Sequence, residues 1–391
     1  MLNIQLCLHC RKKVDTWEII KFMGRLNIIS RNIRTGLAKF VLDKRNKISD
    51  YQDFYDDKTG TLDISKFKTV LFIIHDDRIG DMVISTISFR EIKKKYPNIK
   101  ISVLCGKNSK EILKYNSYVD EIIEISGKFL KDFHIYKRLR FEKDIVLVDF
   151  FEFDLRPAHL LFLRIVNPKF LIGFYKKKYK TYDISIEETF FDVHIINRHK
   201  VILKIFGIDN ADFTYDIFIS EKEKECAKFY LDKSGGKYKV VVNPFASSKH
   251  RTFKREKLQS LIEQIEKIKD CCIYILCPPN RYESIKDIES DKKAVFIVQL
   301  KSILSVAYLI KECDIVISPD TSIIHIASAF KKKTIGLYLD FSNRLEKTDI
   351  IWGPNNPNAV IINADSQNGK AENDIKNIDN EKILKVFKEM I

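Results

Sequence analysis

The fold of this chain is limited most by a regular alternation of apolar runs and helical segments that begins at Thr69. The run VLFIIHD at 70–76 is almost continuously apolar, which is typical of a parallel strand covered on both faces. The segment that follows it, as far as Pro97, has a helical pattern. The alternation restarts at the apolar run YKVVVNPF, after the charged segment 220–237. Two consecutive βαβα blocks predict two doubly wound α/β sheets.

The chain of 391 residues is too long for one ordinary core and suits two domains of about 150–200 residues. We assign 1–67 to a basic amphipathic helical extension and a linker, the linker at 46–66. We assign 68–218 to an N-terminal Rossmann-like domain, 219–365 to a C-terminal one, and 366–391 to a polar segment and a last helix. Ligands bind doubly wound sheets beyond the carboxyl ends of their strands. The predicted site therefore lies in a central cleft between the two domains.

The charge of the chain favours anionic partners. Its 68 Lys and Arg residues exceed its 53 Asp and Glu residues by 15, which suits a nucleotide, a phosphorylated glycan, a membrane surface or nucleic acid. No basic motif interleaved with aromatic residues is present, so we do not expect nucleic acid as a partner. The sequence also lacks the GxGxxG, GKS/T and HRD signatures, which argues against dehydrogenases, P-loop NTPases and kinases.

The cysteines indicate neither a metal site nor a disulfide framework. Most of the eight cysteines lie in apolar, strand-like contexts, as reduced thiols do. The CLHC motif at Cys7–Cys10 has no second pair at zinc-finger spacing. No DxD motif follows a strand in the first half, so a transferase that clamps its donor with a metal is disfavoured. We expect no metal and no cofactor.

The first 50 residues are basic, with 11 Lys and Arg against 4 Asp and Glu. Their apolar residues are broadly consistent with one helical stripe, made of Trp17, Ile20, Leu26, Ile29, Ile33, Leu37 and Val41. This pattern predicts either an interfacial helix on anionic lipid or a helix packed against the protein itself. No apolar run approaches the roughly 20 residues that span a bilayer, and no signal-peptide pattern follows the start. We expect a cytoplasmic protein.

In the first half, one loop between a strand and a helix carries charge. It has the sequence HDDRIGDM, in which Gly80 would allow a tight turn and Asp81 would lie in the first turn of the helix. The carboxylate of Asp81 is a candidate general base for an incoming hydroxyl, or else an ordinary N-cap. Asp76, Asp77 and Arg78 would form a solvated turn or position the loop.

Two loops in the second half carry polar residues directly after strands. In NPFASSKHRTFK, hydroxyls and cations suit a diphosphate, although a basic solvated loop is an alternative; the residues are Ser247, Ser248, Lys249, His250 and Arg251. In ISPDTSIIHIASAF, Asp320 or Thr321 would cap a helix with His325 one turn in. That arrangement predicts either a plain helix cap or an anion site at a helix N-terminus, with a protonatable histidine.

Three segments together resemble the signature blocks of the bacterial heptosyltransferase family, glycosyltransferase family 9. They are IGDMVISTISFREIKKKYPNIKISVLCG, NPFASSKHRTFKREKLQSLI and ISPDTSIIHIASAFKKKTIGLY, and the resemblance runs from about Lys68 to Ile362. It implies a GT-B fold with an acceptor-binding N-terminal domain and a nucleotide-sugar-binding C-terminal domain. It also implies inverting, metal-independent transfer from a nucleotide sugar, often ADP-heptose, to the inner core of lipopolysaccharide.

The resemblance assigns roles to individual residues. Asp81 matches the family's catalytic base, with Arg78 and Gly80 in the same acceptor loop. Arg251, or alternatively Lys249, matches the cation before an aromatic residue, where Phe253 replaces tryptophan. The donor-binding matches are Ser247, Ser248, Asp320, Thr321, Ser322 and His325. Ser322 stands where the family has glycine, and LDFSNRLEK after Tyr338 departs from the usual GPT loop. These departures leave the identity of the donor open.

The expected partners are ADP-heptose or another nucleotide sugar, a lipid-linked glycan acceptor and an anionic membrane surface. The expected location is the cytoplasm, peripheral on the inner face of the inner membrane. Three alternatives stay open at this point: a nucleotide-sugar epimerase of GT-B fold, a transferase of another sugar such as an N-acetylhexosamine, and a non-catalytic membrane-associated binding module. Intact Asp81, Asp320 and His325 argue against the last of these.

Overall fold

A computed structural model of the chain describes Asp43 and residues 51–391, except 75–76, 143, 153–154, 189, 191, 234, 269, 289–293, 341–346 and 366–372. The predicted interfacial helix, apart from Asp43, and the CLHC motif lie outside the described residues. Asp76 of the first charged loop also lies outside them.

Residues 51–67 form a small structure that packs on the first domain. Strands β1 (Tyr55–Asp56) and β2 (Thr61–Leu62) pair antiparallel, and a 3-10 turn follows at Ile64–Lys66. Leu62, Ile64 and Phe67 are buried in the core of the first domain. The polar composition of 46–66 predicts a linker there, because its few apolar residues do not change that composition. The structure instead places 51–67 in the first domain.

The first domain is a parallel sheet covered by helices on both faces. Its strands are β3 (Thr69–Ile73), β4 (Lys100–Cys105), β5 (Glu121–Glu124), β6 (Ile145–Asp149), β7 (Phe170–Phe174) and β8 (Ile184–Ile186). Its helices are α1 (Ile79–Lys95), α2 (Phe129–Phe141), α3 (Pro157–Val166) and α4 (Ile196–Ile205). The spatial order is β5-β4-β3-β6-β7-β8, with every neighbouring pair parallel.

The second domain repeats this plan. Its strands are β9 (Tyr238–Val242), β10 (Cys271–Leu276), β11 (Val295–Val298), β12 (Ile315–Pro319), β13 (Lys333–Tyr338) and β14 (Ala359–Asn363). Its helices are α5 (Glu221–Leu231), α6 (Arg255–Glu266), α7 (Ile303–Glu312), α8 (Ser322–Ala329), α9 (Thr348–Ile351) and α10 (Asn380–Met390). The order β11-β10-β9-β12-β13-β14 is again wholly parallel.

The predicted α/β fold with two doubly wound sheets is confirmed. Every residue of β3, β6 and β12 is buried, as continuous apolar runs require when both faces of a sheet are covered. In each sheet successive strands are added first to one side and then to the other, and the change of side falls between two adjacent central strands, β3 and β6 in the first sheet and β9 and β12 in the second. A crevice opens at the carboxyl ends of such strands, so the order of strands locates the ligand site in each domain.

Two segments whose sequence pattern predicts a helix between neighbouring strands are only 3-10 turns in the structure. The segment SKEILKYN forms one at Ser109–Leu113, and the segment from Arg281 belongs to another at Pro279–Ser284. Both are too short for sustained i to i−4 hydrogen bonding, and the second begins with a proline pair.

A buried arginine fixes the segment that connects the two domains. Arg90 of α1 donates from Nη1 to the carbonyl oxygen of Thr214 at 2.8 Å and pairs with Asp216 Oδ2 at 2.5 Å. Its Nε donates to Glu91 Oε1 at 2.7 Å. Because α1 also carries Asp81, these bonds hold the segment that leads into the second domain against the helix that carries the candidate base.

None of the helices in the described part of the chain combines the length and the apolar character that crossing a bilayer requires.

Candidate functional site

The loops of both domains meet in a cleft of about 1380 Å³. All predicted site residues but one line this cleft. The lining residues are Arg78, Gly80, Asp81, Ser247, Ser248, Arg251, Asp320, Thr321, Ser322 and His325. The exception is Lys249, which is exposed in a 3-10 turn and is not among the lining residues. The structure therefore brings together residues from loops that are more than 150 positions apart in the sequence.

Asp81 lies in the first turn of α1, as predicted, but it is not the N-cap. The helix begins at Ile79, and Arg78, with extended backbone, occupies the cap position. Asp81 is thus the third helical residue, half-buried at the wall of the cleft. A helix N-terminus carries partial positive charge and is a favourable place for a carboxylate. The N-cap interpretation of Asp81 is wrong, and its carboxylate faces the site from the first domain.

Asp77 positions the loop that precedes α1. Its carboxylate accepts hydrogen bonds from the backbone nitrogens of Asn108 at 2.8 Å and Ser109 at 2.7 Å, and from Ser109 Oγ at 3.0 Å. A Cβ at Gly106 would lie 2.3 Å from Asp77 Cγ, so only glycine leaves room for this carboxylate. These contacts tie the loop after β3 to the loop after β4.

Gly80 leaves room for a close contact between the two domains, and it does not form a turn. It lies inside α1, and a Cβ added to it would come within 2.8 Å of His325 Cδ2 and 3.7 Å of Ser322 Cα. The predicted tight turn at Gly80 is therefore wrong. Since α1 belongs to the first domain and α8 to the second, glycine here lets the two helix N-termini approach each other across the cleft.

Arg251 and Asp320 form an ion pair in the wall of the cleft that the second domain contributes. Arg251 Nη1 donates to Asp320 Oδ2 at 2.6 Å and to the carbonyl oxygen of Asp320 at 2.9 Å. Its Nη2 donates to Ser247 Oγ at 3.2 Å. Burial raises the pKa of the Asp320 carboxyl, and the charges of Arg251 and Arg78 oppose that rise. Asp320 thereby fixes the guanidinium in place while part of Arg251 stays exposed to the cleft.

Ser248 and Thr321 cap the two loops of the second domain. Ser248 Oγ accepts from the backbone nitrogen of His250 at 3.3 Å and begins the 3-10 turn Lys249–Arg251. Thr321, and not Asp320, is the N-cap of α8, where its hydroxyl accepts from Ile323 N at 3.3 Å. The backbone nitrogen of Ile324 donates to the carbonyl oxygen of Thr321 at 3.1 Å. The backbone N–H groups at a helix N-terminus point out of the helix, which is the basis of anion binding at such ends.

Asn243 orients Thr321 and is not among the residues predicted from the sequence. It is buried immediately after β9, and its Nδ2 donates to both Ser318 Oγ and Thr321 Oγ1 at 3.0 Å. These bonds join the ends of the two central strands of the second sheet. A polar residue directly after the run VVV was the signal that could have identified it.

His325 is neutral at physiological pH. Burial lowers its pKa to about 3, with a smaller contribution from the charge of His194. Its Nδ1 has no hydrogen-bond partner among the described residues. The prediction of a protonatable histidine at this site is therefore wrong. A neutral imidazole can still donate or accept one hydrogen bond to a ligand, but it supplies no charge.

The far end of the cleft is apolar and was also missed. It is lined by residues at or just after the carboxyl ends of β9, β10 and β11 and by one residue of α7, namely Phe245, Leu276, Val298, Leu300 and Val306. The guanidinium of Arg281 lies 5.9 Å from the centre of the Phe245 ring. This end suits a flat, uncharged ring, whereas the Arg251 end suits an anion.

In the part of the chain that the structure describes, no three His, Cys, Asp or Glu side chains lie together in a way that could hold a metal ion. The expectation that the protein needs neither metal nor cofactor stays a prediction.

Two parallel six-stranded sheets, with a cleft at their facing carboxyl edges, have the architecture of the GT-B fold. The sequence profile of "Glycosyltransferase family 9 (heptosyltransferase)" matches residues 161–381, more than half of the chain. The chain belongs to glycosyltransferase family 9, the heptosyltransferase family. The matched residues include Arg251 and Asp320 but not Asp81.

Individual relatives agree with this family. Over 309 residues the chain is 25% identical to the "Putative lipopolysaccharide heptosyltransferase 4" of Escherichia coli strain K12, covering 77% of this chain and 82% of that protein. The family 9 glycosyl transferase from Veillonella parvula DSM 2008 has a similar structure, with a TM-score of 0.70, 12% identity and coverage of 85% of this chain and 99% of that one. For E. coli heptosyltransferase WaaC with ADP, the TM-score is 0.61 at 15% identity, covering 83% and 100%. At such low identities these two structures support the fold alone.

Proposed function

We propose that the protein transfers heptose from ADP-heptose to a lipid-linked acceptor of the lipopolysaccharide core type, with inversion and without a metal ion. The observation that carries this proposal is the arrangement across the cleft. Asp81 lies on one wall, and Arg251, paired with Asp320, lies with the N-terminus of α8 on the other. A base and a cationic phosphate site on opposite walls suit displacement of a diphosphate by a hydroxyl.

The donor fits the second domain in one orientation. Its diphosphate would lie between Arg251, the hydroxyl of Ser247 and the N-terminus of α8, since charge-assisted bonds and a helix end both favour anions. Its nucleobase would then occupy the apolar end near Phe245 and Leu276. The structurally similar heptosyltransferase WaaC was solved with ADP, which supports a nucleoside diphosphate as part of the donor.

The proposed reaction is a single displacement. The acceptor hydroxyl attacks the anomeric carbon on the side opposite the diphosphate, and Asp81 accepts the hydroxyl proton. The bond from the anomeric carbon to the phosphate oxygen breaks, and its electron pair leaves with that oxygen. Arg251 and the helix end stabilise the negative charge that develops there, a role that electrostatic groups in a desolvated cleft fill effectively. One displacement inverts the anomeric configuration.

The direct test is an assay of the full-length protein with a panel of nucleotide sugars and lipid-linked acceptors, with products identified by mass spectrometry. Transfer of heptose from ADP-heptose, in the inverted configuration, is expected. Transfer of an N-acetylhexosamine in its place would change the proposed donor. Conversion of the nucleotide sugar in the absence of any acceptor would contradict transfer and favour an epimerase.

Activity should survive chelation. Because Arg251 and the end of α8 provide positive charge at the proposed diphosphate position, we expect a large excess of EDTA to leave the initial rate unchanged. The rate is measured before and after dialysis against the chelator. Loss of activity that Mg²⁺ or Mn²⁺ restores would contradict the metal-free mechanism.

The basic extension should contribute to binding at the membrane. Asp43 is the one residue of 1–50 that the structure describes. Its carboxylate accepts hydrogen bonds from the backbone nitrogens of Lys180 at 3.0 Å and Thr181 at 2.9 Å. Deletion of 1–42 keeps this contact and the packed segment 51–67. It should lower co-sedimentation with anionic vesicles, because each Lys or Arg near such a surface contributes about 1 kcal/mol. The affinity for ADP should not change, since the donor side of the cleft is built by the second domain. A truncated protein that sediments like the full-length chain would assign the extension to another role.

A further inference from the structure

The two most exposed large apolar side chains of the described residues belong to one helix of the first domain. Leu130 is 77% exposed and Phe141 is 76% exposed, both on α2. With His134 and Lys137 they follow the spacing i, i+4, i+7, i+11, so the four side chains form one stripe along the helix. The opposite face of α2 is buried through Asp132, Tyr136 and Leu139. The stripe therefore exposes two large apolar side chains and two polar ones to solvent.

The charge on this face has a single sign. The exposed ionisable side chains of α2, apart from His134, are all cations, namely Lys131, Lys137, Arg138 and Arg140. Its one carboxylate, Asp132, is buried and accepts from the backbone nitrogen of Ser126 at 2.9 Å. Arg138 also pairs with Glu121 at 2.5 Å. A helix with exposed apolar residues among cations, and with no exposed acid, is typical of an anionic lipid surface.

We infer that the exposed stripe of α2 docks the protein on an anionic lipid bilayer, with Leu130 and Phe141 inserted at the level of the headgroups. Charge complementarity selects this occupant. The extension at 1–50 carries 11 Lys and Arg against 4 Asp and Glu, so it would be repelled by the same cations. A second copy of α2 would bring two cationic faces together. Anionic headgroups complement the cations, and the acyl boundary accepts the apolar side chains.

The position of α2 is compatible with access to the cleft. The helix follows β5, so its first turn, with Leu130, lies at the carboxyl edge of the first sheet, where Asp81 also lies. Tyr136 and Leu139 of α2 pack in the same cluster as Tyr179 and Tyr182, whose loop holds the carboxylate of Asp43. The end of the extension and α2 are therefore on the same side of the first domain, and one bilayer can contact both.

This inference deepens the proposed function, because it rests on an acceptor that is anchored in a bilayer. Its test is nevertheless independent of transfer, since vesicles without acceptor or donor are used. Failure to bind vesicles through α2 would overturn the docking surface alone. Normal insertion without any sugar transfer would count against the proposed function alone.

A local probe tests the surface in the full-length protein. The chain has two native tryptophans, so the emission of Phe141→Trp is compared with that of the wild type. Phosphatidylglycerol vesicles should shift the emission of the added tryptophan to shorter wavelength, and brominated lipid should quench that emission. Phosphatidylcholine vesicles should cause neither the shift nor the quenching. Phe229→Trp is the matched control, because Phe229 is 59% exposed but lies on α5 of the second domain. It should respond to neither vesicle.

Binding provides the second readout. Leu130→Ser/Phe141→Ser should lower the partition coefficient on phosphatidylglycerol vesicles about tenfold or more, and Phe229→Ser should leave it unchanged. Lys131→Glu/Lys137→Glu should lower binding most at low ionic strength, since salt screens exposed charges. Transfer to a short soluble acceptor should be retained by all these variants.

Three results would overturn the inference. The first is that the added tryptophan of the Phe141→Trp variant is not quenched on brominated vesicles that bind the protein. The second is that Leu130→Ser/Phe141→Ser binds phosphatidylglycerol vesicles like the wild type. The third is that self-association in the absence of lipid shields the added tryptophan, which would make a second copy of the chain the occupant of the stripe.

Discussion

Replacement of Asp81 by asparagine should lower the turnover number by about 10²-fold or more, because general-base catalysis contributes about 10² to 10⁴. The amide keeps the size of the carboxylate at the first turn of α1 but cannot accept the acceptor's proton. Binding of ADP should be nearly unchanged, since the groups proposed for the diphosphate lie in the second domain, at Arg251 and the end of α8. Steady-state rates and calorimetric titration with ADP measure the two quantities separately.

Asp77→Asn provides the matched control. Asp77 lies four positions earlier in the chain, and its carboxylate accepts bonds from Asn108 and Ser109 at 2.7–3.0 Å. Its loss should lower thermal stability and loosen the loop, while the pH dependence of the remaining activity keeps the wild-type shape. Asp81→Asn should instead remove the rise in rate with pH that a catalytic base produces. Wild-type turnover in Asp81→Asn would exclude Asp81 as the base.

The central strands could be predicted from the sequence because their environment leaves a local pattern. A strand covered on both faces must be apolar at every position, and β3, β6 and β12 meet that condition. The edge strands β8 and β14 are only partly buried, so their sequences ISI and AVIIN are not subject to the requirement of an apolar residue at every position that marks the central strands. Neither was identified from the sequence as a strand.

The site was predictable as a set of loops but not as a set of contacts. Polar residues directly after apolar strands identified the loops that carry Asp81, Arg251 and Asp320, since carboxyl ends of parallel strands share one edge. The ion pair between Arg251 and Asp320 joins positions 69 apart, and the close approach of Gly80 to His325 joins the two domains. Such pairs depend on tertiary packing. The neutral state of His325 likewise follows from burial, which the local sequence does not reveal.

The largest expected effect on donor binding is that of Arg251→Ala. It removes the guanidinium proposed to hold the diphosphate and leaves the buried carboxylate of Asp320 without its closest cation. Truncating one partner of a hydrogen-bonded charge pair across a binding interface, here Arg251 and the proposed diphosphate, costs about 2–5 kcal/mol. We therefore expect the affinity for ADP to fall by about 10²-fold, with a parallel loss in kcat/KM, because a cation at a departing oxyanion acts mainly in the transition state. Calorimetry and initial rates test both parts.

The stability of the same variant should depend more strongly on pH than that of the wild type. In the wild type, burial raises the pKa of Asp320 and the charge of Arg251 counteracts it. Without Arg251 the pKa rises further above the unfolded value, so the folded state prefers the protonated carboxyl. Stability is then retained at acidic pH and lost as the pH rises through the folded pKa. The melting temperature of Arg251→Ala should accordingly fall between acidic and neutral pH, relative to the wild type, and Arg251→Ala/Asp320→Asn should remove this difference.

Lys249→Ala separates the specific role of Arg251 from the general charge of its loop. Both residues are cations of the same 3-10 turn, but Lys249 is exposed and does not line the cleft, whereas Arg251 does. Loss of Lys249 should change ADP affinity by less than about threefold, because an exposed charge is screened by water and salt. Arg251→Lys should recover part of the affinity through its charge, without the bond geometry that the guanidinium provides. If Lys249→Ala and Arg251→Ala weaken ADP binding equally, the loop acts only through its net charge, and the ion pair with Asp320 does not position the diphosphate.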